Sequence, residues 1–417
     1  MKKARYALFA SLALSALAPA VSAQESADSR AIHERIIVLD THFDTPMNLG
    51  RPGWSILDRH DPLLDGDQVD YPRMVEGGID GGFFVIFTAQ GPRTPEADRL
   101  ARDAGIIRAV QIREMIAKHS DKFELAITAD DAQRITKAGK RFVYMSIENG
   151  YPFEGDISLM RTFRALGVTM MSPAHFANND LADSATDPKG PEWKGLSPKG
   201  KEFVAEANRL GVVIDASHSS DESLRQMVAL SRAPIILSHS GMRAIYNHPR
   251  NVTDADAKLV AAKGGVIQLN AFNGYMIDTP QIAERNAALK AISDKYMVPG
   301  RPMTAEQRRA MMAERRAIDQ RWPVPRANFD DFMKHILHAV KLVGADHVGI
   351  SGDFDGGGGI DGIEDITDYP AITAAMLKAG IKESDIAKIW GGNALRVLRE
   401  AQALASPADI PVIPVTN

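Results

Sequence analysis

Short apolar runs and amphipathic segments alternate along most of the chain. Residues 36–40 (IIVLD), 81–87 (GGFFVIF), 142–147 (FVYMSI), 168–171, 212–214, 234–237, 265–269 and 348–350 are the apolar runs. A strand covered on both faces reads this way, whereas a half-exposed strand alternates. Helix patterns lie between them. Residues 95–118 carry Leu100, Ile107, Val110, Ile112 and Ile116 at helical spacing. Ser197-Pro198 opens a helix over 200–210, with Ser197 as N-cap and Gly211 placed for a left-handed stop. Residues 159–166, 224–230 and 255–263 are further helices. Eight strands separated by helices predict an α/β fold, a (β/α)8 TIM-type barrel.

One stretch breaks the rhythm. Residues 279–328, between the seventh and eighth strands, are strongly charged and helix-forming. They predict a helical insertion on the barrel surface: a lid, a contact with a second copy, or a solvated decoration. The glycine run 356–359 reads as a flexible loop, and no Lys-Ser/Thr follows it to suggest phosphate binding. At the N-terminus, Lys2, Lys3 and Arg5 precede an apolar run and the small residues Val21-Ser22-Ala23. This predicts a signal peptide over 1–23 and a mature protein that begins near Gln24, periplasmic or secreted. Residues 24–405 then form one catalytic domain, and 406–417 a Pro-rich extended tail. No later stretch reads as a membrane span.

Composition narrows the chemistry. Apolar residues are 45% and charged residues 24% of 417, ample for a large core. Lys+Arg number 49 and Asp+Glu 53, a net charge of −4 that suggests neither nucleic acid nor anionic membrane as partner. There is no cysteine, which excludes disulfides, a thiol nucleophile and a cysteine zinc site. Any metal must be held by His, Asp and Glu.

Those residues fall at strand ends. His42 and Asp44 follow the first strand, Glu148 the third, His175 the fourth, His218 the fifth and His239 the sixth. Tyr275 follows the seventh and Asp353 the eighth. In a barrel all C-terminal strand ends open on one face, so these residues converge there. His42 and Asp44 share a side, because strand period is two. A lone histidine at a strand end is most often a rim or core residue; the set is what points to metal. Its nitrogen and oxygen donors suit Zn²⁺, and also Mn²⁺, Co²⁺ or Fe²⁺. They exceed what one tetrahedral ion with an open position uses and suit two ions sharing a carboxylate. No lysine stands at the third or fourth strand end, so Glu148 is left to bridge. Two such ions activate a bridging hydroxide and polarise a carbonyl, and a nearby carboxylate passes the proton to a leaving amine. Asp40, Asp215 and Asp355 are read as supporting partners. His335 and His338 are read as solvated or capping, and His33, His60, His119, His248 and His347 receive no role. No Gly-x-Ser-x-Gly elbow is present.

The segments VLDTHFD, DYPRMVEGGIDGGFFVIFT, SIENG, SPAHFANNDLADS, GLSPKGKEFVAEANRLGVVIDASH, SRAPIILSHS, HPRNVTD, LNAFNGYM and GISGDFDG together resemble the membrane dipeptidase (renal dipeptidase) family of zinc peptidases. The likeness runs from about Ile36 to about Leu398. It implies two Zn²⁺ per chain, one on His42 and Asp44, the other on His218 and His239, with Glu148 bridging. It implies that His175 contacts the substrate and the tetrahedral intermediate. Arg250 matches the arginine that holds the substrate's C-terminal carboxylate, a task suited to a planar guanidinium. Asp353 matches the proton shuttle, and Tyr275 a pocket tyrosine. The expected reaction is hydrolysis of free dipeptides, with C-terminal D-residues accepted. Another binuclear amidohydrolase, a lactonase or a β-lactam-opening enzyme is the alternative, and a capture protein without turnover is a third reading. The cysteines that bridge animal members are absent here, so no disulfide-linked dimer carries over; a homodimer stays compatible with the likeness. The insertion at 279–328 exceeds the animal connection, so animal substrate preference is not transferred.

Overall fold

The computed structural model describes residues 27–298, 301–405 and 413–414. The signal-peptide reading over 1–23 and most of the tail lie outside the described residues. Nine strands appear among the described residues: β1 (Leu39–Phe43), β2 (Gly81–Phe87), β3 (Phe123–Leu125), β4 (Arg141–Glu148), β5 (Val168–Met171), β6 (Val213–Ile214), β7 (Ile236–Ser240), β8 (Val266–Asn270) and β9 (Val348–Ser351). All pairings are parallel, in the orders β1-β2-β4-β5-β6 and β7-β8-β9. Single parallel bridges, Asp215 with Ile236 and Phe43 with Phe354, join the two groups at both seams. The eight strands thus close into the expected barrel.

β3 is the addition that the apolar runs do not announce. It pairs with the N-terminal part of β4, outside the ring. At three residues, with Glu124 in the middle, it is too short and too polar to stand out. β1 begins three residues later than expected, because its pairing with β2 starts at Leu39 opposite Gly81. His42 therefore lies within the strand and Asp44 just after it.

Leu39, Phe83, Tyr144, Met170, Val213, Ile236 and Val266, one from each of seven barrel strands, share a buried cluster with Val397 and Leu398 of the C-terminal helix. This apolar plug leaves the polar chemistry to the other end. Ser197 caps the helix Pro198–Leu210 by accepting from Gly200 N at 3.0 Å, and Gly211 closes it at φ 64°. The helix Pro95–Lys118 buries Ile112 and Ile116 as its spacing suggests, but in its first half small residues face inward instead of the large ones. Leu100 and Ile107 are exposed, while Ala101, Gly105 and Ala109 are buried. Small residues let the neighbours approach closely: a Cβ on Gly105 would stand 3.2 Å from Phe163 and Pro152.

The stretch 279–328 holds two helices, Ala283–Tyr296 and Ala305–Arg321. They pack on each other through Ile292, Met311 and Ile318, a cluster separate from the main core. Arg308 Nε donates to Asp65 O at 2.6 Å and Arg316 to Leu63 O, resting the pair on the 61–68 loop. No described helix is long and apolar enough to cross a membrane.

Candidate metal centre

Glu148 is the last residue of β4, and its side chain is buried. Its Oε1 lies 3.1 Å from His218 Nε2, 3.3 Å from His239 Nε2 and 3.9 Å from His175 Nε2. Its Oε2 lies 3.6 Å from His42 Nε2, which is 3.3 Å from Asp44 Oδ2. One carboxylate thus stands between a His42–Asp44 pair and a His218–His239 pair. Donor atoms of His42, Asp44 and Asp353 also fall within 4.8 Å of one another. The residues named from the sequence for metal binding are brought together, from four strand ends far apart in the chain.

The group fits cations. His42 Nε2, Asp44 Oδ1 and Glu148 Oε1 are buried without a hydrogen-bond partner. Such atoms are costly unless something satisfies them. His218 Nε2 and His239 Nε2 are 2.9 Å apart, two ring nitrogens aimed at one spot. Ser238 Oγ donates to Asp215 Oδ2 at 2.6 Å, so towards His239 Nδ1, at 2.8 Å, it must accept. That puts the His239 proton on Nδ1 and leaves the Nε2 lone pair facing the centre. Replacing Ser238 by Ala is expected to weaken metal binding about 10- to 100-fold. A chelator titration reads this directly, and unchanged affinity would show that Ser238 does not orient the ring.

Electrostatics follow from burial. Desolvation alone would raise Glu148, but the fields of His42 and His175 hold it well below the usual carboxylate range. Burial pushes His218 and His239 well below an ordinary imidazole. Burial lifts Asp353 to about 7; His42 opposes this, while Asp44 and Glu148 add to it.

The backbone bends sharply here. Asn149 (φ 70°), His218 (φ 66°), Asp353 (φ 54°) and Asp355 (φ 66°) all adopt the left-handed region. Non-glycine residues held there carry strain of roughly 1–3 kcal/mol each and cluster at functional sites. The glycine run is not the flexible loop its composition suggests. Gly358 N donates to Asp353 O at 2.7 Å and Gly359 N to Ala271 O at 2.9 Å. A Cβ on Gly356 would stand 2.1 Å from Asp44 Oδ2 and 2.8 Å from Asp353 Oδ1, so only glycine admits both carboxylates.

Two buried aspartates tie this layer together at the seams. Asp40 accepts from His42 N at 2.8 Å, from Gly352 N at 2.7 Å and from the Tyr369 hydroxyl, joining β1 to the end of β9. Asp215 accepts from Ser217 N and Ser238 N, both at 2.9 Å, joining the end of β6 to β7.

Arg250 lies beside the centre, 3% exposed. Its two side-chain hydrogen bonds go to neutral oxygens, Ser240 Oγ at 2.7 Å and His239 O at 2.5 Å, and its Nε has no partner. Its guanidinium sits 5.6 Å from the centroid of the Tyr275 ring. Tyr275 stacks on Phe272 at 4.3 Å, and burial raises its hydroxyl to about 12.

The sequence pattern misses several residues at this mouth. His248 packs on Tyr275 at 4.9 Å, and Phe87 and Phe176 both touch His175. Phe87 carried a usable signal: it closes a strand in register with Glu148. His335 is buried rather than solvated, its Nδ1 accepting from Met242 N. His60, Asp65 and Asp67 form a fourth close group. Asp67 is already engaged by Arg51 Nη1 at 2.7 Å and Trp54 Nε1 at 2.9 Å, which makes the group a clamp for its own loop.

Known proteins resemble this chain over most of its length. Residues 26–411 match the family model described as membrane dipeptidase (Peptidase family M19). An uncharacterised dipeptidase of Schizosaccharomyces pombe is 30% identical over 391 residues, 90% of this chain and 83% of the relative. The dipeptidase tcpJ of Claviceps purpurea is 29% identical over 85% of this chain and 74% of the relative. Among solved structures, the probable dipeptidase PvdM from Pseudomonas aeruginosa is 33% identical with a TM-score of 0.76, covering 91% of this chain and 98% of that one. A metallopeptidase from Rhodobacter sphaeroides, solved with a phosphinate mimic of L-Ala-D-Ala, has a TM-score of 0.67 at 23% identity, covers 88% of this chain and 99% of that one, and speaks for the fold. The chain belongs to the membrane dipeptidase family of metallopeptidases.

Proposed function

We propose that this protein hydrolyses the peptide bond of free dipeptides with two zinc ions. His42 and Asp44 would hold one ion, His218 and His239 the other, and Glu148 both. The observation that carries this reading is Glu148 itself, one carboxylate within 3.1 to 3.6 Å of His42, His218 and His239. Bound there, such a pair would lower the pKa of water and polarise a carbonyl. The chain supplies the rest. Arg250, a buried cation whose side chain bonds only to neutral oxygens, suits a substrate carboxylate. His175, with Nε2 turned to the same carboxylate as the other imidazoles, is in reach to donate to the substrate carbonyl oxygen. Asp353, lifted towards neutrality by burial, takes a proton at its carboxylate and returns it to the leaving nitrogen. Tyr275 lines the pocket beside Arg250. The family relationship favours this reading over a lactonase or another amidohydrolase.

The test is a panel of L-Xaa-L-Xaa and L-Xaa-D-Xaa dipeptides, assayed with zinc and after chelation; the D-series is motivated by the ligand of the Rhodobacter enzyme. Zinc-dependent cleavage is expected, with loss of activity when the C-terminal carboxylate is amidated. Arg250→Lys should raise KM and lower kcat/KM about 100-fold, since a point charge cannot make the paired bonds. Metal-loaded protein that cleaves no dipeptide would overturn the reading. Residues 1–23 support export; N-terminal sequencing of the exported protein should then begin at Gln24.

A further inference from the structure

Two phenylalanines at the mouth take no part in the chemistry above. Phe176 follows His175 in the chain. Its ring centroid lies 3.9 Å from that of His175 and 5.1 Å from that of His218. It is nevertheless 49% exposed. Phe87, half-buried at the end of β2, meets His175 edge-on at 4.8 Å. The His175 imidazole is therefore flanked by two apolar rings.

Single exposed apolar side chains are ordinary on a protein surface. Phe176 differs in its contacts. It is half exposed and at the same time packs on two imidazoles of the centre. A substrate bond that reaches His175 would lie next to this ring, with the open part free to meet an adjoining side chain. The ring is also presented from a tied-down segment. Ser184 Oγ donates to His175 O at 2.5 Å, and Asn178 N donates to Asp187 Oδ2 at 2.8 Å.

We propose that Phe176, backed by Phe87 across the His175 ring, is a specificity-determining wall that selects dipeptides with an apolar side chain at the residue packed against it. The inference rests on the dipeptidase reading. An apolar side chain removes the ring from water on binding, whereas glycine leaves it wet. One methylene in an apolar pocket is worth roughly 10- to 200-fold in selectivity.

The experiment measures kcat/KM for Gly-Gly, Leu-Gly, Phe-Gly, Gly-Leu and Gly-Phe with wild type, Phe176→Ala and Phe176→Leu. Zinc content is measured for each protein. Wild type should prefer the apolar members of at least one series over Gly-Gly. Phe176→Ala should cut that preference about tenfold or more with zinc content kept, and Phe176→Leu should retain most of it. An undiminished preference in Phe176→Ala would overturn the proposal. So would an equal fall for every substrate, the signature of a ring that only props His175. Wild type that holds zinc but cleaves none of the five would instead sink the dipeptidase reading beneath it.

Discussion

Glu148→Gln protein is expected to purify with little bound metal and to cleave dipeptides at less than about one hundredth of the wild-type rate, beyond what an outer partner of a metal ligand costs. The reason is geometric. Glu148 alone faces both pairs, with Oε1 at 3.1 and 3.3 Å from His218 and His239 and Oε2 at 3.6 Å from His42. Glutamine keeps the length and the β4 backbone but loses the charge, and its amide nitrogen would point a donor at ring nitrogens or cations. The fold should persist, because the β4 ladder is made by backbone groups from Arg141 to Glu148. Metal analysis after dialysis, together with circular dichroism, decides it. Retention of two ions by folded Glu148→Gln would remove Glu148 from the bridging position.

Asp353→Asn should behave oppositely on metal and alike on turnover. Metal content is expected to stay near wild type, while kcat falls about 10²- to 10⁴-fold, the usual scale of a lost general acid–base group. Asparagine is the informative replacement because residue 353 sits at φ 54°, a conformation that Asn tolerates nearly as well as Asp. The backbone after β9 then survives, and only the ability to carry a proton is lost. A kcat within a few fold of wild type would mean that another group moves the proton.

Much of this site was legible in the sequence, for a physical reason. Barrel strands are buried on both sides, so His42, Glu148, His218, His239 and Asp353 stand out as polar residues at the ends of apolar runs. What periodicity cannot convey is side-chain direction beyond the strand. Phe176 and His248 lie in loops, where no repeat fixes which way a ring points. Ile112 and Ile116 marked part of the inward face of helix Pro95–Lys118, but its first half was hidden, because Ala101, Gly105 and Ala109 pack by closeness rather than by size. β3 escaped because three residues carry too little pattern. The glycine run looked loose because composition does not reveal that its amides are taken up by Asp353 O and Ala271 O.

The two seams of the barrel carry a further consequence. Where β6 meets β7 and where β9 meets β1, the strand ladder thins to single bridges, and the carboxylates of Asp215 and Asp40 take up the free amides. His218 and His239 straddle the first seam; His42, Asp44 and Asp353 straddle the second. An ion held by His218 and His239 would therefore clasp the two edges of the cylinder at the first seam, and Glu148 would tie it to the ion on His42 and Asp44. Folding and metal uptake then become linked equilibria, with the native state gaining RT ln(1 + [L]/Kd) from each ion. At a free-ion level 100 times Kd that gain is about 2.7 kcal/mol per site. On this account the ions that arm the enzyme also fasten its barrel, and metal starvation would loosen the molecule first along the line where β6 meets β7.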